Sequence, residues 1–294
     1  MDPVWIAIAF ALGYLFKQFK LPPLLGFLAA GFVLNLMGVE GGEMLAESAQ
    51  LGVLLLLFSI GLKLNIKNLL KPVIWAGTTI HMAITMLLLG GALFLLSFLG
   101  ISQLLVLDLF QTGLIAFTLS FSSTVFVVKI LEETGTSGTL YGRLAIGILV
   151  MQDVIAVVFL TISSGKVPSP WALALLPLAA VPWLLKKFPF TDLVSKSGHG
   201  ELLVLLGVLL PIAGAALFES VGLKPDLGAL IFGVLLARHP KAGELSKAML
   251  SFKDLFLVGF FLTIGLSGIP TWETIFIALL LIVLLPLKSI VYFL

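Results

Sequence analysis

The chain has 294 residues, of which 60% are hydrophobic and only 11% are charged, and its mean hydropathy is +1.20. A soluble domain carries about 25% charged residues, so this composition excludes an ordinary soluble protein and predicts an all-α polytopic membrane protein in a lipid bilayer. The formal net charge of +2 does not indicate nucleic-acid binding, because the basic residues are spread through short loops. The absence of cysteine excludes disulfides and thiolate-bound metals.

Apolar runs long enough to cross a bilayer follow one another along the chain. By the rule of roughly 17–25 residues per crossing, we predict about eleven of them, at residues 3–18, 21–38, 48–64, 72–99, 109–131, 140–163, 170–186, 199–220, 224–238, 251–269 and 272–294. The most irregular connection, residues 186–200, is the predicted hinge between two halves.

The basic residues predict the orientation in the membrane. Most of them fall in or beside loops on one predicted side: Lys17, Lys20, Lys63, Lys67, Lys71, Lys129, Arg143, Lys186, Lys187, Lys196, Arg238, Lys241, Lys247 and Lys253. The other side has only Lys166 and Lys224. Because cytoplasmic loops are enriched in lysine and arginine, we expect the N-terminus outside the cell and the basic loops in the cytoplasm.

An internal repeat relates the two halves. Residues 21–31 align with residues 223–233, and the next span repeats as well, with residues 59–62 matching 263–266. Proline and glycine at span starts are common, so a chance match is the alternative. The two copies of the first segment lie in the second and ninth predicted spans, an odd number of crossings apart, so the copies run in opposite directions. This predicts an inverted repeat.

The repeat predicts how the chain is organised. Residues 1–163 form the first repeat, residues 164–198 a linker helix and loop, and residues 199–294 the second repeat. The second repeat would be incomplete at its C-terminal end, since an equal copy would continue for about two further helices. We therefore expect either a fragment or a reduced version of the complete arrangement.

Two ionisable residues, Asp153 and Lys288, lie well inside apolar runs. Asp153 is about 15 Å along a helix from Arg143 and so near the bilayer centre, where a carboxylate costs about 2.5–3.5 kcal/mol on insertion scales. This favours a cation and proton site at Asp153, next to Gln152. The alternatives are a structural ion pair, for example with Lys288, and a hydrogen-bonded packing residue. Lys288 alternatively extends its ammonium to the inner interface.

A run of hydroxyl residues, 118–124, lies at similar depth in the fifth predicted span. Such residues are also common in helix packing, where they bond back to carbonyls. The functional interpretation is a locally unwound helix whose freed carbonyls and hydroxyls coordinate a dehydrated cation. Oxygen ligands beside a single carboxylate favour Na⁺ or K⁺, held by Asp153, Ser123 and Thr124, with Ser122 nearby. His81 is expected to be a hydrogen-bonded polar residue rather than a proton relay.

The motifs together resemble a known family, the Kef-type branch of the monovalent cation:proton antiporters. The resemblance is carried by Lys288 and by residues 24–31 (LLGFLAAG), 58–62 (FSIGL), 122–124 (SST), 152–153 (QD), 228–237 (GALIFGVLLA) and 260–266 (FFLTIGL). It implies a thirteen-helix fold with a dimerising scaffold and a mobile core crossed by two broken helices, in a homodimer of the bacterial inner membrane.

The resemblance also implies roles for single residues. Gln152 and Asp153 occupy the position of the family's ion-binding pair, and one carboxylate is similar to the electroneutral, often K⁺-linked pattern. Residues 122–124 match the broken stretch of the first crossing helix, and Lys288 matches the basic residue of the core. The second crossing helix and a cytoplasmic regulatory domain have no counterpart in this sequence. Lys63, Asn65 and Asn35 depart from the family's motifs.

These observations predict a secondary transporter that exchanges K⁺ or Na⁺ for H⁺ by alternating access. The alternative is a Na⁺-coupled symporter of a small organic anion on a related fold, which would need a sizeable central cavity. An enzyme is not expected, because an aspartyl intramembrane protease needs two carboxylates at depth and a serine protease needs a Gly-x-Ser-Gly motif. Residues 135–138 lack the lysine of a phosphate-binding loop, and no cofactor is expected.

Overall fold

The computed structural model describes residues 3–63, 71–97, 108–163, 194, 196–198 and 200–290, which form helices, turns and loops. The predicted seventh span at residues 170–186, most of the predicted linker and hinge, and residues 291–294 lie outside the described residues, as do Asn65, Lys67, Lys166, Lys186 and Lys187.

The helices of the described residues follow the predicted apolar runs to within a few residues, apart from the start of α3. They are α1 (Pro3–Gln18), α2 (Pro23–Leu36), α3 (Glu43–Lys63), α4 (Pro72–Ser97), α5 (Leu109–Ser120), α6 (Thr124–Glu133), α7 (Leu140–Ser163), α8 (Glu201–Ser220), α9 (Pro225–Leu236), α10 (Ala242–Ala248), α11 (Leu250–Leu266) and α12 (Trp272–Ile290). The run at 109–131 forms two helices with a break between them. No apolar run predicts α10, because this short helix is largely polar.

Several of these helices have the length and composition of a membrane span. Among the described residues, α3, Pro72–Leu95 of α4, the α5–α6 pair and α8 are long and apolar enough to cross by themselves. A fifth crossing results if α10 and α11, bent by 53° at their junction, form one span. The other apolar helices are shorter, so the total of eleven crossings stays a prediction.

The chain forms two compact units. Unit one comprises Met1–Ile66, Val128–Ile130 and Ala156–Ile269, and unit two comprises Lys67–Val127, Leu131–Ile155 and Pro270–Leu294. Each unit therefore contains stretches from both predicted repeats. The division is one of tertiary contact and does not follow the order of the repeats along the sequence.

Unit one is built around α3. Every residue from Leu54 to Leu62 is buried, including Phe58 at 0% exposure, because α8, α9 and α11 pack around the helix. A helix that is apolar on all sides and buried on all sides is typical of the centre of a large bundle. One polar contact crosses this core, a 3.1 Å hydrogen bond between the hydroxyls of Ser59 and Ser246.

Glycines bring the helix backbones of unit one into direct contact. A Cβ atom added to Gly31 of α2 would lie 2.7 Å from the Cα of Gly265 in α11, and one added to Gly61 of α3 would lie 2.9 Å from the Cα of Gly233 in α9. Real Cβ atoms do not approach backbone so closely. Only glycine therefore permits these two helix crossings, as in other membrane bundles with small residues at the interface.

Unit two contains α4, α5, α12 and parts of α6 and α7. Helix α4 is packed against α5 and α12, and Ile74 of α4 fills the space beside Gly147 of α7. The buried side chains of α4 include the polar Thr78, His81 and Thr85. Unit two thus has polar groups in its interior, and it contains the break between α5 and α6.

Candidate functional site

The break between α5 and α6 leaves backbone groups without helical partners. Helix α5 ends at Ser120, residues 121–123 are not helical, and α6 begins at Thr124. The Ser123 hydroxyl accepts a hydrogen bond from the Phe126 N–H at 3.3 Å and so caps the start of α6. The last carbonyls of α5 and the first amides of α6 therefore both lie at this break, with opposite partial charges.

Gln152 of α7 satisfies both kinds of backbone group. Its side chain is 1% exposed. Its Oε1 accepts from the Ser122 N–H at 3.1 Å, and its Nε2 donates to the Ser120 carbonyl at 3.4 Å. A side-chain amide carries a donor and an acceptor, so it replaces the hydrogen bonds that a continuous helix would have formed. Gln152 thereby holds the break open.

Asp153, the next residue of α7, places a carboxylate at the same break. Its Oδ2 accepts a hydrogen bond from the Thr124 hydroxyl at 3.2 Å, at the first residue of α6. The side chain is half-buried. Thr124 lies at the amide end of a helix, where the dipole favours negative charge. The carboxylate is therefore in an environment suited to an anion.

Lys288 of α12 lies at the carbonyl end of α5. Its Nζ donates to the Phe121 carbonyl at 2.5 Å and to the Leu119 carbonyl at 3.2 Å. The partly negative end of a helix favours a cation, so the ammonium complements these free carbonyls. The structure thus places Lys288 at the break, with its side chain half-buried.

Most of the predicted site residues meet at this break, but in unexpected ways. Ser122 contributes its backbone N–H to Gln152. The Ser123 hydroxyl is engaged in capping α6 and its side chain is exposed, so the structure does not bring it to Asp153. The presence of Ser123 in the ion-binding set stays a prediction. The expected local unwinding of the hydroxyl-rich span is what the structure has.

The sequence predicted freed carbonyls at this break but did not indicate their partners. The carbonyls of Leu119 and Phe121 accept from Lys288, and that of Ser120 accepts from Gln152. The contact of His81 of α4, whose Nε2 lies 3.1 Å from the Lys288 carbonyl, was not predicted either. The sequence indicated only that His81 would be hydrogen-bonded. Its partner depends on the packing of α4 against α12.

The oxygen atoms at the break belong to one carboxylate, one hydroxyl and backbone carbonyls, which are the ligands that hard cations prefer. The carbonyls of Leu119 and Phe121 accept from Lys288, and that of Ser120 accepts from Gln152. Within the described part of the chain, no group of three or more His, Cys, Asp or Glu side chains is arranged to hold a metal ion. Tight divalent binding, which requires several carboxylates, is therefore not what this donor set favours.

A family model covers nearly the whole chain. The model of the sodium/hydrogen exchanger family, transmembrane region, matches residues 6–294. The chain belongs to this family of membrane proteins.

The relatives sharpen the class to the Kef-type branch, as the motifs predicted. The chain is similar to the glutathione-regulated potassium-efflux system protein KefC of Shigella flexneri, Shigella sonnei and Escherichia coli O139:H28. Each is 31% identical over 261 residues, which cover 83% of this chain and 41% of the relative. The chain thus spans less than half the length of these relatives.

Proposed function

We propose that this chain exchanges a monovalent cation, K⁺ or Na⁺, for H⁺ across a membrane, with Asp153 as the shared cation and proton site. The observation that carries the proposal is the position of the Asp153 carboxylate at the break between α5 and α6, bonded to Thr124 at 3.2 Å. Helices broken within the membrane supply ion sites in secondary transporters because their free backbone groups line the site.

The exchange follows from competition for one carboxylate. A proton on Asp153 removes the negative charge that attracts a cation, and a bound cation favours the ionised form, so the two ligands exclude each other. The ammonium of Lys288 already supplies the positive charge at the carbonyl end of α5. A transported cation is therefore not needed to neutralise those carbonyls. Thr124 and the unwound backbone then supply the oxygen ligands, together with the predicted Ser122 and Ser123.

Alternating access is supported by the pairing of the glycines in unit one. Gly31 and Gly233 correspond in the predicted repeat, and so do Gly61 and Gly265. Replacing each glycine of the Gly31–Gly265 contact by its counterpart yields the Gly233–Gly61 contact, which is present as well. Equivalent contacts at corresponding positions are expected of two related copies. They support the inverted repeat, the architecture from which alternating access arises.

The cation and the setting follow from the relatives. Their printed names describe potassium efflux, which favours K⁺ over Na⁺ for this chain. We place the protein in the bacterial inner membrane as a multi-pass homodimer with its N-terminus outside, from the basic loops and from the family. A cytoplasmic regulatory domain would be a separate or additional part.

Exchange in proteoliposomes tests this function. The full-length gene product is reconstituted, and dye quenching records proton movement on addition of K⁺, Na⁺ or Li⁺. We expect Asp153→Asn to abolish cation-dependent proton flux, because the amide does not bind a proton and has no negative charge for which the cation and the proton compete. The control is Asp226→Asn, the same change in the first turn of α9 in unit one.

Two results would contradict the proposal. One is exchange by Asp153→Asn at the wild-type rate. The other is transport by the wild-type protein that requires a small organic anion, which would favour the Na⁺-coupled symporter instead.

A further inference from the structure

His81 is a buried polar residue that the proposed exchange does not use. It is 4% exposed and lies on α4 in unit two. Thr78, one turn earlier on the same helix, is 0% exposed, but its hydroxyl donates to the Ile74 carbonyl of α4 itself at 2.6 Å. The His81 ring instead reaches another helix, where its Nε2 lies 3.1 Å from the carbonyl of Lys288.

The direction of this hydrogen bond is determined by its partner. A backbone carbonyl only accepts, so Nε2 of His81 carries the proton and donates it. The acceptor belongs to the residue whose ammonium lies on the carbonyls of Leu119 and Phe121. His81 thus contacts the backbone of Lys288, and the side chain of Lys288 contacts the break.

Helix α12 needs an anchor at this turn. Pro286, inside α12 and two residues before Lys288, has no N–H and so removes one hydrogen bond from the helix. A helix that lacks this bond is held less firmly by its own backbone. A bond from a neighbouring helix, directly after the proline, restrains the turn that carries Lys288.

We propose that His81 is a positioning residue for Lys288: its imidazole anchors the α12 backbone and so holds the ammonium on the carbonyl end of α5. Without this anchor the lysine side chain has more freedom, and its positive charge becomes available to the Asp153 carboxylate at the same break. The ammonium would then compete with the transported cation. The expected competition between the ammonium and the cation rests on the proposed function. The placement of Lys288 by His81 does not depend on that function.

The first test separates affinity from rate. In proteoliposomes, His81→Leu is expected to raise the KM for the cation roughly 3- to 10-fold, the effect of one lost hydrogen bond, with kcat changed less than twofold. His81→Gln, which keeps a donor at the position of Nε2, should restore the KM to within about twofold. Thr78→Val is the matched control, since it removes a buried hydroxyl from the same face of α4 but breaks only a bond within that helix.

Two further variants keep the test decisive. Asn is polar but too short to reach the Lys288 carbonyl, so His81→Asn should behave like His81→Leu, and it replaces that variant if His81→Leu does not fold. In a Lys288→Gln background, His81→Leu should raise the KM no further, because its effect acts through the ammonium.

A second readout does not depend on transport. The rate at which an amine-reactive reagent modifies Lys288, measured by mass spectrometry, should rise severalfold in His81→Leu and stay unchanged in His81→Gln and Thr78→Val. An unchanged labelling rate, an equal KM in His81→Leu and wild type, or additive effects with Lys288→Gln would overturn the proposal. Failure of the exchange function itself appears separately, as activity retained by Asp153→Asn.

Discussion

Unit one and unit two differ in how their helices meet. In unit one, α2 approaches α11, and α3 approaches α9, until the backbones touch, at Gly31–Gly265 and Gly61–Gly233. In unit two, α5 and α6 are interrupted, and the freed groups bond to side chains of Gln152 and Lys288. Hydrocarbon cannot satisfy backbone groups, so an interruption needs such partners. Unit one thus contains the close backbone contacts, and unit two contains the break on which the proposed ion site depends.

The largest effect is expected from removing the side chain that replaces the missing helical bonds. Gln152→Leu leaves the Ser122 N–H and the Ser120 carbonyl buried without a partner, at about 1–3 kcal/mol each. We expect no exchange and a free energy of unfolding in detergent that is lower by about 2–4 kcal/mol. Gln50→Leu, the same change at an exposed position of α3, is the control. A Gln152→Leu protein as stable as the control would mean that the break does not depend on this amide.

Alanine substitution at the glycine contacts of unit one should lower the stability nearly as much, but through packing alone. Gly31→Ala and Gly233→Ala each introduce a Cβ against backbone that cannot move aside, and overpacking of this kind costs about 1–3 kcal/mol. Because the two positions correspond in the predicted repeat, we expect similar losses of thermal stability in both variants, with the cation KM of the folded fraction unchanged.

Gly77→Ala is the control for the glycine pair. Nothing lies within 4 Å of a Cβ at this position of α4, so alanine should maintain or slightly raise the melting temperature. Very different losses at Gly31 and Gly233 would argue against equivalent contacts, and a loss at Gly77 equal to both would show that the effect is not one of close approach.

A smaller effect on stability is expected from removing the positive charge at the carbonyl end of α5. Lys288→Gln removes a charged donor from the Leu119 and Phe121 carbonyls, and hydrogen bonds to charged groups contribute about 1.5–3 kcal/mol. Because the side chain is half-buried, we expect a loss near the lower value and an altered pH profile of exchange, with the preference among K⁺, Na⁺ and Li⁺ unchanged.

Lys241→Gln is the matched control for Lys288. Its ammonium also donates to a carbonyl, that of Gly198 at 2.9 Å, but at an exposed site. There water replaces the bond at little cost, so the melting temperature should hardly change. Equal stability and the same pH profile in wild type and Lys288→Gln would mean that the lysine does not act at the break.

The sequence predicted the helices well because apolar length is a local property. The bounds of α1, α4 and α7 agree with predicted runs to within two residues. The break at residues 121–123 was also expected, since a hydroxyl-rich run at membrane depth offers its own caps, and Ser123 is one. Asp153 and Gln152 were identified as candidate site residues because polar groups are rare in membrane-spanning segments.

Contacts between distant segments were not predictable in this way. Every residue has a carbonyl, so no sequence pattern distinguishes those of Leu119 and Phe121, which bond to a lysine far along the chain. The contact of His81 could not be predicted either, because its partner is also a backbone carbonyl. The cap formed by the Ser123 hydroxyl was not predicted, because it depends on local geometry.

By itself, then, the amino-acid sequence determined where helices form, where one is interrupted and which side chains are too polar for lipid, because each depends on the transfer of local groups from water. Only the tertiary structure decided that Gln152 bridges both ends of the break, that Lys288 lies on its carbonyls and that His81 contacts the Lys288 carbonyl. These contacts depend on which helices pack together, and that packing is set by the shapes of many side chains at once.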